Sequence, residues 1–196
     1  MNRLKARPFL DGGHGPAKPK AYAPGVDEQA VAWILAETVC GLLEADPRIR
    51  PGRTRASYWE TPRLSERVAT ANQAGADIFI SIHLNDNPSP RPRGLEVYYY
   101  GRSSTGQALA DKMAAAITEA TGYQGPVRVI GSPSPRYKTT LYVLKRTAMP
   151  ALLIEGGFLS NRQDADLYKN GTFPGAICRG IQRGTVEALK HLGRLP

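Results

Sequence analysis

DIFISIHL, at residues 77–84, is the segment that decides the fold of this 196-residue chain. Its β-branched and aromatic residues follow one another with almost no polar interruption, which is typical of a strand buried on both faces of a sheet. A second apolar segment, ALLIE at residues 151–155, ends in a glutamate that is followed by two glycines. Together the two segments predict buried strands of a mostly parallel sheet.

Strand and helix signals alternate along the rest of the chain. Strands are predicted at residues 7–11, 49–55, 77–84, 94–100, 141–144 and 151–155. Helices are predicted at residues 27–44, 62–74, 105–120 and 173–192, and a loop rich in glycine, proline and serine at residues 122–137. The alternation indicates an α/β fold: one domain, residues 1–196, with a twisted, mostly parallel (mixed) sheet of about six strands and helices on both faces.

The chain is strongly basic, since 26 Lys and Arg against 17 Asp and Glu give a net charge of +9. Such a field favours polyanionic partners, among them nucleic acid, anionic lipid and an anionic cell wall, without selecting one of them. The longest purely apolar run, residues 30–36, is too short to span a bilayer, so no transmembrane segment is expected. Residues 1–8 are charged and carry no apolar stretch, so no signal peptide is visible in this chain.

Several common chemistries lack their motifs in this chain. It contains no GxSxG, no GxxxxGK[ST], no HExxH and no GxGxxG after a strand. Cys40 and Cys178 are 138 residues apart and form no CxxC, so we expect buried thiols on two helices; a disulfide would require an oxidising compartment. The scattered arginines form no RNA-recognition motif, so no specific nucleic-acid binding is expected.

Two of the three histidines stand where sites are usually built. His14 lies in GGHG after the first predicted strand, and His83 lies near the carboxyl end of the strongest one. Because ligand clefts in α/β sheets lie outside the carboxyl ends of strands, both histidines suit one crevice and favour a metal site there. His191, in the final predicted helix, is expected to be solvated.

A catalytic zinc ion commonly has two histidine ligands and one glutamate, so a carboxylate is needed as the third ligand. The residues alone leave Asp27, Glu28, Glu96 and Glu155 open for this position. Glu28 begins a helix near His14, but a glutamate in a first turn is also favoured by the helix dipole. Glu155 ends an apolar strand, where an ionised carboxylate must be paired or functional.

Seven sequence blocks follow one another along the chain. The blocks are FLDGGHG (9–15), GVDEQAVAWILA (25–36), TR (54–55), LSERVATAN (64–72), ADIFISIHLN (76–85), GLEVYYY (94–100) and MPALLIEGGFLSN (149–161). In this order they resemble one known family, the zinc-dependent N-acetylmuramoyl-L-alanine amidases of the type called amidase 3. The resemblance extends from about residue 7 to residue 190.

This resemblance implies a ligand set and a mechanism. It implies that His14, Glu28 and His83 bind one catalytic zinc ion and that Glu155 is the catalytic acid and base, which selects Glu28 over Asp27. The implied reaction is hydrolysis of the amide bond between the lactyl group of N-acetylmuramic acid and L-alanine of the peptidoglycan stem peptide. Two alternatives stay open: a zinc peptidase that cuts within the stem peptide, and a non-catalytic basic domain that binds wall or nucleic acid. Nothing in the sequence indicates an oligomeric state.

The chain departs from the family pattern at a few places. The usual aspartate-proline before the first histidine block is Asp11-Gly12 here, and no autoinhibitory helix is expected between Tyr100 and Thr105. We also expect no separate wall-binding module, and a site that is open without an activator.

The basic residues then have an expected use, which is to hold the enzyme at an anionic cell wall. The arginines considered for this contact are Arg48, Arg50, Arg53, Arg55, Arg91 and Arg93. The absence of a visible export signal fits a phage-type lysin that is held in the host cytoplasm until lysis. The catalytic domain of an exported bacterial enzyme is the alternative.

Overall fold

The computed structural model describes residues 5–16, 22–169 and 171–196. Its strands are β1 (Pro8–Gly12), β2 (Tyr22–Ala23), β3 (Val26–Asp27), β4 (Gly52–Arg53), β5 (Ile78–Asn85), β6 (Leu95–Tyr100), β7 (Val127–Ser132) and β8 (Ala151–Phe158). Its helices are α1 (Glu28–Glu44), α2 (Leu64–Gln73), α3 (Ser104–Thr121), α4 (Tyr142–Arg146), α5 (Arg162–Lys169) and α6 (Phe173–His191). None of these helices is long and apolar enough to cross a membrane.

Six of the strands form one mixed sheet in the order β4-β1-β5-β8-β6-β7. Strands β4, β1, β5 and β8 are mutually parallel, β6 is antiparallel to β8, and β7 is parallel to β6. The strongest predicted strands, β5 and β8, are the two central ones, and every residue of β8 is buried. The predicted α/β fold with a mixed six-stranded sheet is confirmed.

Helices cover both faces of the sheet, as predicted. On one face α1, α3 and α6 bury a large core with side chains such as Leu35, Ile80 and Ile181. On the other face α2 and α4 pack over a smaller core that contains Phe79 and Leu153. Both faces of β5 are buried, which is why its first residues, 78–80, are apolar without alternation; the polar Ser81 and His83 follow on the same face as Phe79.

Two predicted elements near the carboxyl-terminal half are wrong. Residues 141–144 were expected to form a strand, but they lie at the start of helix α4, where Val143 and Leu144 pack into the smaller core. Residues 122–137 were expected to form a loop, but they contain β7, the edge strand beside β6. A single helical turn is too short to show a helical period, and the glycines and prolines around β7 obscured its alternation.

Two smaller expectations are confirmed. Cys40 and Cys178 are both buried and free, on α1 and α6 respectively. The connection between β6 and α3 consists of residues 101–103 alone, so no helix is inserted there.

Candidate active site

Three neighbouring parallel strands bring three of the predicted site residues to one edge of the sheet. His14 follows the end of β1, His83 lies near the end of β5, and Glu155 lies within β8. His83 and Glu155 are register partners, so their side chains leave adjacent strands at the same level. This is the carboxyl edge of these strands, where the sequence placed the site.

The start of α1 separates the roles of two adjacent carboxylates. Asp27 is the N-cap of α1, because its Oδ1 accepts hydrogen bonds from the backbone N–H groups of Gln29 at 2.9 Å and Ala30 at 3.3 Å. Glu28 is only 2% exposed and points its carboxylate at the two histidines. Helix capping therefore occupies Asp27 and leaves Glu28 for the site.

His14, Glu28 and His83 form a cluster that could hold a metal ion. His14 Nε2 lies 3.1 Å from Glu28 Oε1, and His83 Nδ1 lies 3.2 Å from both of these atoms. Four ligands arranged tetrahedrally around zinc, at bond lengths of about 2.0–2.1 Å, stand about 3.3 Å from one another. The three atoms thus already have the mutual spacing that a tetrahedral ion requires.

The backbone before His14 is shaped by the close approach of the His83 ring. A Cβ on Gly13 would lie 2.3 Å from His83 Cε1, so only glycine fits at this position. His14 itself has φ 55, in the left-handed region that residues other than glycine rarely adopt. The guanidinium of Arg67 binds the carbonyl oxygen of His14 and holds this conformation in place.

A chain of buried hydrogen bonds fixes the ring of His83. Ser81 Oγ lies 3.1 Å from His83 Nε2 and 2.7 Å from Asp11 Oδ2. The Ser81 hydroxyl donates its one proton to Asp11, so it accepts from the N–H of His83. Asp11 in turn accepts hydrogen bonds from Thr54 and Arg67, each at 2.5 Å. The network leaves His83 Nδ1 as the ring nitrogen free to bind a metal.

The protonation equilibria of Glu28 and His83 are coupled. Burial by itself would raise the pKa of Glu28, but hydrogen bonds from His14 and His83 outweigh it and lower that pKa to about 2. Burial would lower the pKa of His83, but the hydrogen bond to Glu28 and the charge of Glu155 outweigh it and raise that pKa. Glu28 is therefore an anion at neutral pH, and a metal ion bound to His83 Nδ1 would replace the hydrogen bond between His83 and Glu28.

Glu155 stands beside this cluster with few partners of its own. It is 6% exposed, and its Oε1 lies 3.4 Å from Tyr137 Oη. Its Oε2 is buried with no hydrogen-bond partner among the residues that the structure describes. Burial, together with the negative charges of Glu28 and Glu96, raises the pKa of Glu155 to about 7. Such a carboxyl group can both accept and release a proton near neutral pH.

The other candidates from the sequence lie apart from the cluster. Glu96 Oε2 accepts hydrogen bonds from Asn85 Nδ2 at 2.9 Å and Tyr98 Oη at 2.8 Å, and it approaches neither histidine. His191 is exposed on α6, as expected. Of the four candidate carboxylates, Glu28 alone joins the two histidines in the part of the chain that the structure describes.

One arginine of the expected wall-binding group has a different position. Arg55 is 2% exposed, and its guanidinium binds the carbonyl oxygens of Gly12 and Tyr58 and stacks on Trp33. Arg55 therefore supports the turn before His14 and cannot contact an extended surface. Arg48 remains exposed and is paired with Asp46.

A cavity of about 400 Å³ opens beside the two histidines. Its floor is formed by Ser81 and Leu153 of the sheet, and its walls by the start of α2 and by Tyr142 of α4. Both polar and apolar groups line it, so it can receive an amphipathic ligand next to the metal cluster.

Sequence reasoning missed the residues that support the cluster. Asp11 and Ser81 lie in sequence blocks that resemble the amidase family. For both, the sequence signal was a polar side chain inside an apolar strand. Arg67 lies in a helix where nothing distinguishes it from solvated arginines. Tyr137 lies in a segment without periodicity, and no sequence signal pointed to it.

A family model described as N-acetylmuramoyl-L-alanine amidase matches residues 9–186. The chain belongs to this amidase family. It is 32% identical over 181 residues to the N-acetylmuramoyl-L-alanine amidase LytC of Bacillus subtilis, and 29% identical over 184 residues to an endolysin of Bacillus phage SPP1. The catalytic domain of the amidase CwlV from Bacillus (Paenibacillus) polymyxa superposes with a TM-score of 0.83 at 28% identity.

These alignments differ in how much of each relative they include. The alignment with LytC includes 91% of this chain but only 34% of LytC. The alignment with the endolysin includes 92% of this chain and 65% of the endolysin. The comparison with CwlV covers 94% of this chain and 98% of the CwlV domain. The part shared with these relatives therefore corresponds to the CwlV catalytic domain.

Proposed function

We propose that this chain is a zinc-dependent N-acetylmuramoyl-L-alanine amidase that acts on the bacterial cell wall. The bond cleaved is the amide between the lactyl group of N-acetylmuramic acid and L-alanine of the stem peptide. The observation that carries the proposal is the cluster of His14, Glu28 and His83 beside a buried glutamate with a free oxygen, in a chain of this family. We assign the ligand role to the cluster and the acid-base role to Glu155.

The donor set supports zinc as the ion. Two imidazole nitrogens and one carboxylate oxygen suit zinc, whereas magnesium and calcium prefer sites made of oxygen ligands. The spacing of 3.1–3.2 Å between the ligand atoms matches a tetrahedral ion with one position left for water or substrate. When bound, zinc supplies a Lewis acid that polarises the amide carbonyl and makes water more acidic.

Glu155 performs the proton transfers in this mechanism. Its pKa of about 7 lets it take the proton of the attacking water and return it to the alanine nitrogen as the amide bond breaks. His83 is held by Ser81, so the ligand geometry does not change while Glu155 cycles between its two protonation states. Burial shields Glu155 from bulk solvent.

The net charge of +9 supports a second part of the proposal, attraction to the anionic wall. Exposed arginines such as Arg50 and Arg91 would supply it, while Arg55 is buried and does not contribute. Because exposed charges are screened by salt, sedimentation of the protein with isolated walls should weaken as ionic strength rises. Binding that stays unchanged at 1 M salt, where the Debye length is about 3 Å, would contradict this contact.

The test of the activity is the chemistry of the ends produced from isolated peptidoglycan. The zinc-loaded protein should release new L-alanine amino termini and peptide-free glycan, identified by amino-terminal labelling and mass spectrometry. Cuts within the stem peptide would instead make the chain a zinc peptidase. No product from zinc-loaded protein would favour a binding module. Glu155→Gln is the matched control, because it keeps the ligand cluster and removes the acid-base group.

A further inference from the structure

Tyr137 is the only residue in the described ranges whose side chain donates a hydrogen bond to Glu155. Its Oη lies 3.4 Å from Glu155 Oε1, while Oε2 is buried and has no described partner. A carboxylate that accepts a single side-chain hydrogen bond can rotate when that bond is lost. The orientation of Glu155 therefore depends on the position of the Tyr137 hydroxyl.

The backbone around Tyr137 is closed by hydrogen bonds within its own segment. Ser132 Oγ accepts from the N–H of Leu141 at 3.0 Å, which ties the two ends together. Ser134 donates its N–H to the carbonyl of Tyr137 at 2.9 Å and accepts the N–H of Tyr137 on its side chain at 3.2 Å. The tyrosine is thus held in a closed turn.

The ring of Tyr137 is held from two sides. It contacts Tyr98 of β6 edge to face at 5.4 Å between centroids. The guanidinium of Arg136 stacks on Tyr137 at 5.7 Å and on Phe158 of β8 at 5.3 Å, and it binds the carbonyl oxygen of Asp86, just after β5. These contacts tie the ring to the strands that carry His83 and Glu155.

The hydroxyl of Tyr137 keeps its proton at neutral pH. Burial and the neighbouring Glu155 carboxylate raise the pKa of Tyr137 to about 12. The group therefore acts as a donor toward Glu155 and takes no part in proton exchange at neutral pH.

We propose that Tyr137 is the positioning residue for Glu155. Its hydroxyl donates to Oε1 and so directs Oε2, the free oxygen, to the water and to the alanine nitrogen. This inference rests on the acid-base role proposed for Glu155. The separation of 3.4 Å exceeds the usual O–H···O distance of about 2.7–2.8 Å. We expect the two groups to move closer when substrate is bound and the carboxylate is charged.

The test is Tyr137→Phe, which keeps the ring contacts and removes only the hydroxyl. On a soluble muramyl-peptide substrate, kcat should fall about 10-fold while KM changes less than about 2-fold, because the bond acts on proton transfer and not on substrate binding. Zinc content and melting temperature should equal those of the wild type.

A matched control removes a tyrosine–carboxylate bond elsewhere. Tyr123 Oη donates to Asp164 Oδ1 at 2.7 Å, and Tyr123→Phe should leave kcat unchanged even if it lowers the melting temperature. If both variants lower kcat equally, the loss reflects stability and the positioning role is overturned.

A double-mutant cycle identifies the partner through which Tyr137 acts. Glu155→Asp shortens the side chain by one methylene and so moves the carboxylate away from Tyr137. The double variant should therefore have a kcat less than about 2-fold below that of Glu155→Asp alone. Fully multiplicative losses, or an effect confined to KM, would overturn the inference. If the wild type releases no L-alanine amino termini, both the proposed function and this inference are overturned. If the wild type is active and Tyr137→Phe has the same kcat, only the positioning role is overturned.

Discussion

The cluster of His14, Glu28 and His83 and the neighbouring Glu155 are the two parts of the proposed site, and they have opposite surroundings. Around the cluster, buried hydrogen bonds run from His83 through Ser81 to Asp11 and on to Arg67. Around Glu155, the residues that the structure describes supply one side-chain hydrogen bond, which is 3.4 Å long and comes from Tyr137. A dense network fixes a ligand in place, whereas a sparse one leaves a carboxyl group poorly solvated and ready to change its charge.

The same contrast separates two buried glutamates. Hydrogen bonds from two histidines lower the pKa of Glu28 to about 2, and burial without such bonds raises that of Glu155 to about 7. Carboxyl groups whose pKa values differ this much are suited to different tasks, in line with the roles proposed above for Glu28 as a metal ligand and for Glu155 as a proton carrier. Four experiments test this division.

The largest effect is expected from His83→Ala. Loss of one of three ligands should remove bound zinc and with it all measurable activity. Zinc content by atomic absorption is the measurement. His191→Ala, on the exposed side of α6, is the control and should keep its zinc. Full zinc occupancy in His83→Ala would show that the cluster is not the ligand set.

Glu155→Gln should retain zinc but lose about 10³-fold in kcat, within the range observed when general acid-base groups are removed. Turnover of peptidoglycan fragments and zinc content are measured on the same sample. Glu187→Gln replaces an exposed glutamate of α6 and should behave as the wild type. A Glu155→Gln enzyme with a tenth or more of normal turnover would refute the acid-base role.

Ser81→Ala should weaken zinc binding by about 10- to 100-fold, since it cuts the chain that orients His83. At saturating zinc its kcat should recover toward the wild-type value. Competition with a chromogenic chelator measures the affinity, and Ser104→Ala, at the exposed start of α3, is the matched control. Unchanged affinity would mean that the network contributes only to folding.

The smallest effect concerns stability of the metal-free protein. The pKa of Glu155 lies at about 7 in the folded protein against an ordinary value of 4.5, so the folded state holds this proton more tightly. The contribution of Glu155 to the free energy of unfolding therefore falls by up to about 3 kcal/mol as the pH rises from about 4.5 to about 7. Urea unfolding should show Glu155→Gln to be more stable than the wild type at pH 8, with a smaller difference at pH 4.5. An equal difference at both pH values would contradict this account.

Much of the fold could be predicted because its central strands are extreme in composition. β5 and β8 are buried on both faces, so their first residues, 78–80 and 151–154, are all apolar, and polar side chains follow only after them. The edge strand β7 has half-buried residues and lies among prolines, and its stability comes from pairing with β6. The single turn of α4 is determined by the core it covers, which lies far away in sequence.

The site, like the fold, could be predicted from the sequence only in part. Sequence placed His14 and His83 at strand ends, but the residues alone left four carboxylates open for the third position, and the family resemblance made the choice of Glu28. The structure gives the physical reason, since Asp27 is used as the N-cap of α1. Tyr137 could not be found, because only the folded chain brings it to Glu155.

The ligand cluster also has a consequence for the chain as a polymer. His14 and His83 are separated by 69 positions, and Glu28 lies on a helix between them. An ion held by all three is a reversible cross-link that closes this long loop and lowers the entropy of the unfolded chain. Chelators should therefore open the amino-terminal part to proteases first, and added zinc should restore its resistance.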